Sequence, residues 1–157
     1  AREAGCGTSV IKTLLDKGYL KEVALAEPPP CRRPDPERHG AALSPAQGKI
    51  AQSLVSHVEK ENFSASLLDG VTGSGKTEVY FEAVAAALKA GKQALILLPE
   101  IALSNAFLVR FKDRFGCAPA LWHSSLSDHQ RKITWRGVAS GESRVVVGAR
   151  SALFLPS

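Results

Sequence analysis

The octapeptide Gly70-Val71-Thr72-Gly73-Ser74-Gly75-Lys76-Thr77 has the residue types and spacing to do chemistry. It satisfies G-x-x-x-x-G-K-[ST], a loop that binds the phosphates of a nucleoside triphosphate. Gly70, Gly73 and Gly75 are expected to let the backbone take positive φ and approach a phosphate with no Cβ in the way. Consecutive N–H groups then form an anion-binding nest at the positive end of the following helix. Lys76 is placed to reach the β- and γ-phosphates and the Thr77 hydroxyl to bind Mg²⁺, which makes these two side chains the catalytic candidates. A glycine turn with a lysine at a helix start would share part of the pattern, but here the flanks also fit. Leu67-Leu68 reads as a short buried strand before the loop, and a helical pattern runs from Lys76 to Ala90 after it.

The elements that must position this loop follow from periodicity. Ser44, Pro45 and Gln47 open a helix over about 45–60 with a capping box and proline at its first position; Ile50, Leu54 and Val58 supply the apolar face. Gln47 has two readings of equal weight, a cap or a contact to an adenine edge. After the loop, Ala94 to Leu98 is an apolar run suited to a parallel strand buried on both faces, stopped by Pro99. Ser104 caps a helix with a Phe107, Phe111, Phe115 stripe, which is core rather than a base-stacking surface, and Gly116 ends it. Ala118 to Trp122 is a further strand. Ser127 and Gln130 open another helix, with Ile133, Trp135 and Val138 supplying apolar contacts, and Arg144 to Val147 is a strand. Strands alternating with helices predict an α/β fold with a parallel sheet and helices on both faces. Ligands of such sheets bind beyond the carboxyl ends of the strands, so 70–77, 99–104, 123–127 and 148–152 become the candidate segments.

Upstream, Thr8 or Ser9 caps a short helix faced by Ile11, Leu14 and Leu15 and ended by Gly18; Tyr19 to Leu25 is compatible with a strand. Five prolines between 28 and 36, with Arg32, Arg33 and Arg38 nearby, make 27–42 a linker at a domain boundary. Its arginines read as solvated charge. The 157 residues carry a net charge of +5, which permits a polyanionic partner without requiring one. Cys6, Cys31 and Cys117 are far apart, show no zinc spacing, and suit a reduced, cytoplasmic setting. No apolar run reaches membrane-spanning length, and the absence of methionine suggests an internal piece of a longer protein.

Four stretches in register carry a resemblance: GVTGSGKTEVY from Gly70, LPEIALS from Leu98, HSSLSDHQR from His123 and GARSALFLP from Gly148. Together they resemble the PriA-type replication-restart helicases (primosomal protein N′) from about Leu43 to Pro156. The resemblance implies a RecA-like P-loop lobe over 43–157, truncated before its acidic metal motif, with residues 1–26 similar to the end of a winged-helix domain. It implies a superfamily 2, ATP-dependent 3′ to 5′ DNA helicase, bacterial and cytoplasmic, acting at forked or single-stranded DNA with primosome and single-strand-binding proteins. By position, the loop residues from Gly70 to Thr77, including Val71, Thr72 and Ser74, together with Glu78, bind ATP and Mg²⁺, and Gln47 meets adenine. Pro99, Glu100, His123, Gly148, Arg150 and Ser151 fall where the family lines its DNA track. Backbone N–H groups and a hydroxyl such as Ser151 suit phosphate contacts that read no sequence.

Ser125, Trp122 and Ser157 depart from the family pattern, away from the nucleotide site. The acidic Asp-Glu-Glu-His motif is expected shortly after residue 157, and the arginine finger and zinc ligands elsewhere in the parent protein. The piece alone is therefore expected to bind nucleotide without useful hydrolysis. Two other readings stand beside the helicase: a kinase-like P-loop enzyme, which would need an acceptor pocket and lid, and a non-hydrolysing DNA-binding fragment.

Overall fold

A computed structural model describes residues 8–21, 33–60, 62–99 and 104–156. In chain order the elements are α1 (Thr8–Asp16), α2 (Pro45–Glu59), α3 (Lys76–Lys89), β1 (Ala94–Leu97), α4 (Asn105–Phe115), β2 (Ala120–Trp122), α5 (Asp128–Ala139), β3 (Val145–Gly148) and a 3₁₀ turn, Arg150–Phe154. The three strands form a parallel sheet in the order β1-β3-β2. Strand–helix alternation therefore yields the α/β architecture that the sequence predicts.

Local signals set the helix limits. Ser44 and Ser127 each accept from the third residue of the helix they open, and Gln47 and Gln130 return the bond in reciprocal capping boxes. Ser104 accepts from the Phe107 N–H, and Gly116 closes α4 at φ 77°. Every third or fourth residue of α3 and α4 then faces one side of the sheet. Phe81, Phe111 and Phe115 are 2%, 0% and 0% exposed and pack with Val84, Leu88, Ile96, Val145 and Val147. Their rings meet mostly edge to face, with Phe81 centroids 5.5 to 5.8 Å from those of Phe107, Phe111 and Phe115.

The opposite face is thinner. Ala120, Val138 and Val146 form its centre, with Trp122 and Leu155 against them. Gln93 laces this side by donating from Nε2 to the carbonyls of Val138 (3.0 Å) and Ser143 (2.9 Å).

Several expectations change. Leu67-Leu68 forms no strand: Leu67 is 95% exposed, because neither residue pairs with the described sheet and a strand needs a neighbour for its N–H and C=O groups. β1 is not buried on both faces. Leu95 and Leu97 are 43% and 41% exposed, since β1 is an edge strand that α5 and the 3₁₀ turn only partly reach. Trp135 lies half exposed, on the outer side of α5, where Val138 takes the inward position. Tyr19 and Leu20 form a bend after Gly18 rather than the start of a strand; residues 22–25 lie outside the described residues. No helix among the described residues is long and apolar enough to cross a membrane.

Residues 33–44 carry no helix or strand, as proline density requires. They are nevertheless fastened to the lobe. Pro34 is buried, the Asp35 N–H donates to the Phe115 carbonyl at 2.9 Å, and Arg38 Nε donates to the Asp113 carbonyl at 2.7 Å. Arg38 is thus bonded to α4 rather than only solvated.

Candidate nucleotide-binding site

The phosphate loop sits where α3 begins. Gly91 turns the chain at the end of α3, and β1 starts at Ala94, so α3 runs antiparallel to β1. Its N-terminus therefore lies at the carboxyl edge of the sheet. The same edge carries Pro99 after β1, His123 after β2, and Arg150 and Ser151 after β3. These four segments thus share one rim, as a parallel sheet dictates.

Within the loop, Gly73 (φ 84°) and Gly75 (φ 81°) take the left-handed conformation, where a side chain is strained. Gly70 does not; it is needed for space, because a Cβ there would come within 2.9 Å of Ser74 Oγ. Gly75 is the N-cap of α3 and offers no side-chain cap. The first N–H groups of that helix therefore have no intrahelical or capping partner and point where an anion would lie. This is the observation that fits a phosphate to these residues. Lys76 Nζ rests on the loop's own carbonyls, donating to Gly70 and, at 2.9 Å, to Val71. The Gly70 N–H is held by Asp69 Oδ1 at 2.8 Å.

Gln47 makes the cap and a second contact that neither reading named. Its Oε1 accepts from the Ser44 N–H at 2.8 Å as a cap, while its Nε2 donates to the Ser74 carbonyl at 2.9 Å. A Cβ on Gly75 would collide with that amide. The side chain that opens α2 is therefore also a strut against the phosphate loop. Val71 and Thr72 are exposed at the tip of the loop, and Ser74 donates its N–H back to the Val71 carbonyl at 3.2 Å.

Glu78, one residue beyond Thr77, has a buried Oε2 with no hydrogen-bond partner and an Oε1 3.9 Å from Arg110 Nε. Tyr80 makes a side-chain hydrogen bond with Thr77, and burial pushes its phenol above the usual value near 10. Sequence reasoning missed Tyr80 and Asp69. Both lie beside the motif, at positions its pattern leaves free, so only their contacts reveal them.

The rim residues differ in access. Pro99, Arg150 and Ser151 are exposed and His123 is partly so, whereas Gly148 is buried. A Cβ at Gly148 would lie 2.6 Å from the Trp122 carbonyl and 2.8 Å from Ala152 Cβ, so this glycine lets the 3₁₀ turn close on β2. Glu100 lies outside the described residues.

With this geometry in view, residues 44–155 match the DEAD/DEAH box helicase family. The chain belongs to that family. It is 53% identical over 96 residues to the replication restart protein PriA of Rickettsia typhi, covering 61% of this chain and 15% of that protein. Over 157 residues it is 36% identical to the PriA of Bacillus subtilis, covering 99% of this chain and 20% of the relative. Over 155 residues it is 39% identical to that of Synechocystis, covering 96% and 18%. The chain thus spans a fifth or less of the length of these relatives.

Proposed function

We propose that this chain is the nucleotide-binding first part of a motor lobe. Its parent is an ATP-dependent DNA helicase that translocates 3′ to 5′ and serves replication restart at forked DNA. The observation that carries the reading is the open start of α3 with Lys76 and Thr77 on it, braced by Gln47, at a rim shared with the ends of all three strands. Relatives named for replication restart support the biological setting.

ATP with Mg²⁺ would supply the phosphoryl group whose transfer drives the motor. The N–H groups from Gly73 to Thr77 would hold its phosphates, Lys76 would exchange the Gly70 and Val71 carbonyls for their charge, and the Thr77 hydroxyl would be a ligand for the metal. Gln47 would meet the adenine, and Glu78, beside Thr77, would belong to the same nucleotide site. Pro99, Glu100, His123, Gly148, Arg150 and Ser151 form the DNA track, in which Arg150 and Ser151 offer donors to phosphates while Gly148 shapes the turn that presents them. Primosome and single-strand-binding proteins as partners, a zinc site in the parent protein and a bacterial cytoplasmic setting belong to the same proposal.

The test is hydrolysis by the full-length protein. Lys76→Ala is expected to lower DNA-stimulated ATP hydrolysis at least about 100-fold while nucleotide-free DNA binding persists. Undiminished hydrolysis in that variant would overturn the reading. The 157-residue piece is expected to bind a fluorescent ADP analogue and not to turn over.

A further inference from the structure

Arg114 is the one charged side chain buried in the described core, 7% exposed at the end of α4, and its partners belong to three different places. Its Nε donates to Glu82 Oε1 on α3 at 3.1 Å. Its Nη1 donates to the Arg38 carbonyl in the 33–44 segment. The guanidinium carbon stands 4.9 Å from the centroid of the Phe115 ring. A buried cation costs much unless its donors are met, so this placement exists because a carboxylate and a carbonyl meet it. The planar fork matters: two nitrogens held at a fixed spacing meet two acceptors on separate segments, whereas a lysine would have to serve both from one flexible ammonium. Gly40 leaves the room, since a Cβ there would sit 2.7 Å from Arg114 Cδ.

The segment so held leads directly into the site. Only three residues separate Gly40 from Ser44, the N-cap of α2, and that stretch spans at most about 14 Å even when extended. Ser44 fixes Gln47 through the capping box, and Gln47 Nε2 fixes the Ser74 carbonyl of the phosphate loop. Glu82, the other end of the Arg114 clasp, sits on the helix that Lys76 begins. A closed circuit runs from the phosphate loop along α3 to Glu82, through Arg114 to residues 38–40, and back through Ser44 and Gln47.

We propose that Arg114 is a positioning residue for nucleotide binding: by clasping the 33–44 strap to α3 it sets Gln47 against the phosphate loop. The proposal rests on the nucleotide-site reading above. Because coupling is reciprocal, a bound nucleotide tightens the strap as much as the strap tightens the nucleotide. The strap enters the lobe from the N-terminal side, so whatever precedes residue 33 gains a mechanical handle on the site through this clasp.

The experiment uses the full-length protein and a fluorescent ADP analogue with Mg²⁺. Arg114→Lys is expected to weaken binding roughly 5- to 20-fold. Gly40→Ala, which leaves Arg114 in place but pushes it aside, is expected to do the same and covers the case in which Arg114→Lys fails to fold. Combined with Gln47→Ala, Arg114→Lys is expected to add no more than about a twofold loss, since both break one circuit. ADP is expected to slow amide exchange at Asp35 in the wild type and not in Arg114→Lys. A purely structural Arg114 would leave Kd unchanged or additive with Gln47→Ala, and strap exchange indifferent to ADP; any of these overturns the proposal. If wild type and Lys76→Ala bind the analogue equally poorly, the nucleotide site itself is wrong and the inference falls with it, a result distinct from a silent Arg114.

Discussion

The two faces of the sheet are built to different densities. On one, α3 and α4 bring four phenylalanines, Val84 and Leu88 onto Ile96, Val145 and Val147, and all of these are buried. On the other, Ala120, Val138 and Val146 make a small cluster while Leu95, Leu97 and Leu153 stay partly or largely exposed. The dense face is the one whose helix begins with the phosphate loop. Chemistry at a helix start needs a fixed helix, and the aromatic cluster fixes α3 by its middle while Gln47 holds the loop at its tip.

The contrast can be broken most severely from the dense side. Phe111→Ala removes a fully buried ring between Phe81 and Phe115 and is expected to cost about 3–5 kcal/mol, read as a loss in chemical-denaturation midpoint. If it costs less than about 1 kcal/mol, the cluster is not what fixes α3.

Tyr80 offers a middle-sized probe of the same face. Its phenol is raised by burial above the ordinary value near 10, so the folded chain keeps a proton that the unfolded chain releases first. Its stabilising contribution is therefore complete below about pH 10 and declines as pH rises toward the folded value. Tyr80→Phe is expected to flatten that alkaline decline in thermal scans; an unchanged slope would show that burial does not reach this hydroxyl.

The smallest effect belongs to the open face. Leu97→Thr exchanges a half-exposed side chain on an edge strand and is expected to shift stability by no more than about 0.5 kcal/mol. A loss as large as that of Phe111→Ala would mean the two faces are equivalent after all.

The dense face and the phosphate loop were legible because their signals are local. The 107, 111, 115 stripe, the two capping boxes and the glycine spacing each reside within a dozen residues; the stripe and the boxes appear as read, and Gly73 and Gly75 take the expected positive φ while Gly70 does not. The open face was misread because a continuous apolar run such as Ala94 to Leu98 is the same whether a strand lies inside a sheet or at its edge; the difference is who sits beside it. Leu67-Leu68 failed for the same reason, since hydropathy does not supply a pairing partner. The clasp was invisible for a different one. Arg114 lies 74 positions from Gly40 in the sequence and inside an otherwise aromatic stripe, and only the fold shows that they share a space.

Gly148 carries a consequence for how the rim moves. Its carbonyl accepts the Leu98 N–H at 2.9 Å, the next residue's N–H donates to the Trp122 carbonyl at 3.1 Å, and a methyl group there would already overlap Trp122 and Ala152. In mechanical terms the junction has no slack. A displacement of β3 by the width of a methyl group has no local gap to absorb it and must carry the ends of β1 and β2 along. The segments after the three strands are therefore expected to move as one plate, so that a push on Arg150 or Ser151 reaches the positions beside His123 and Pro99.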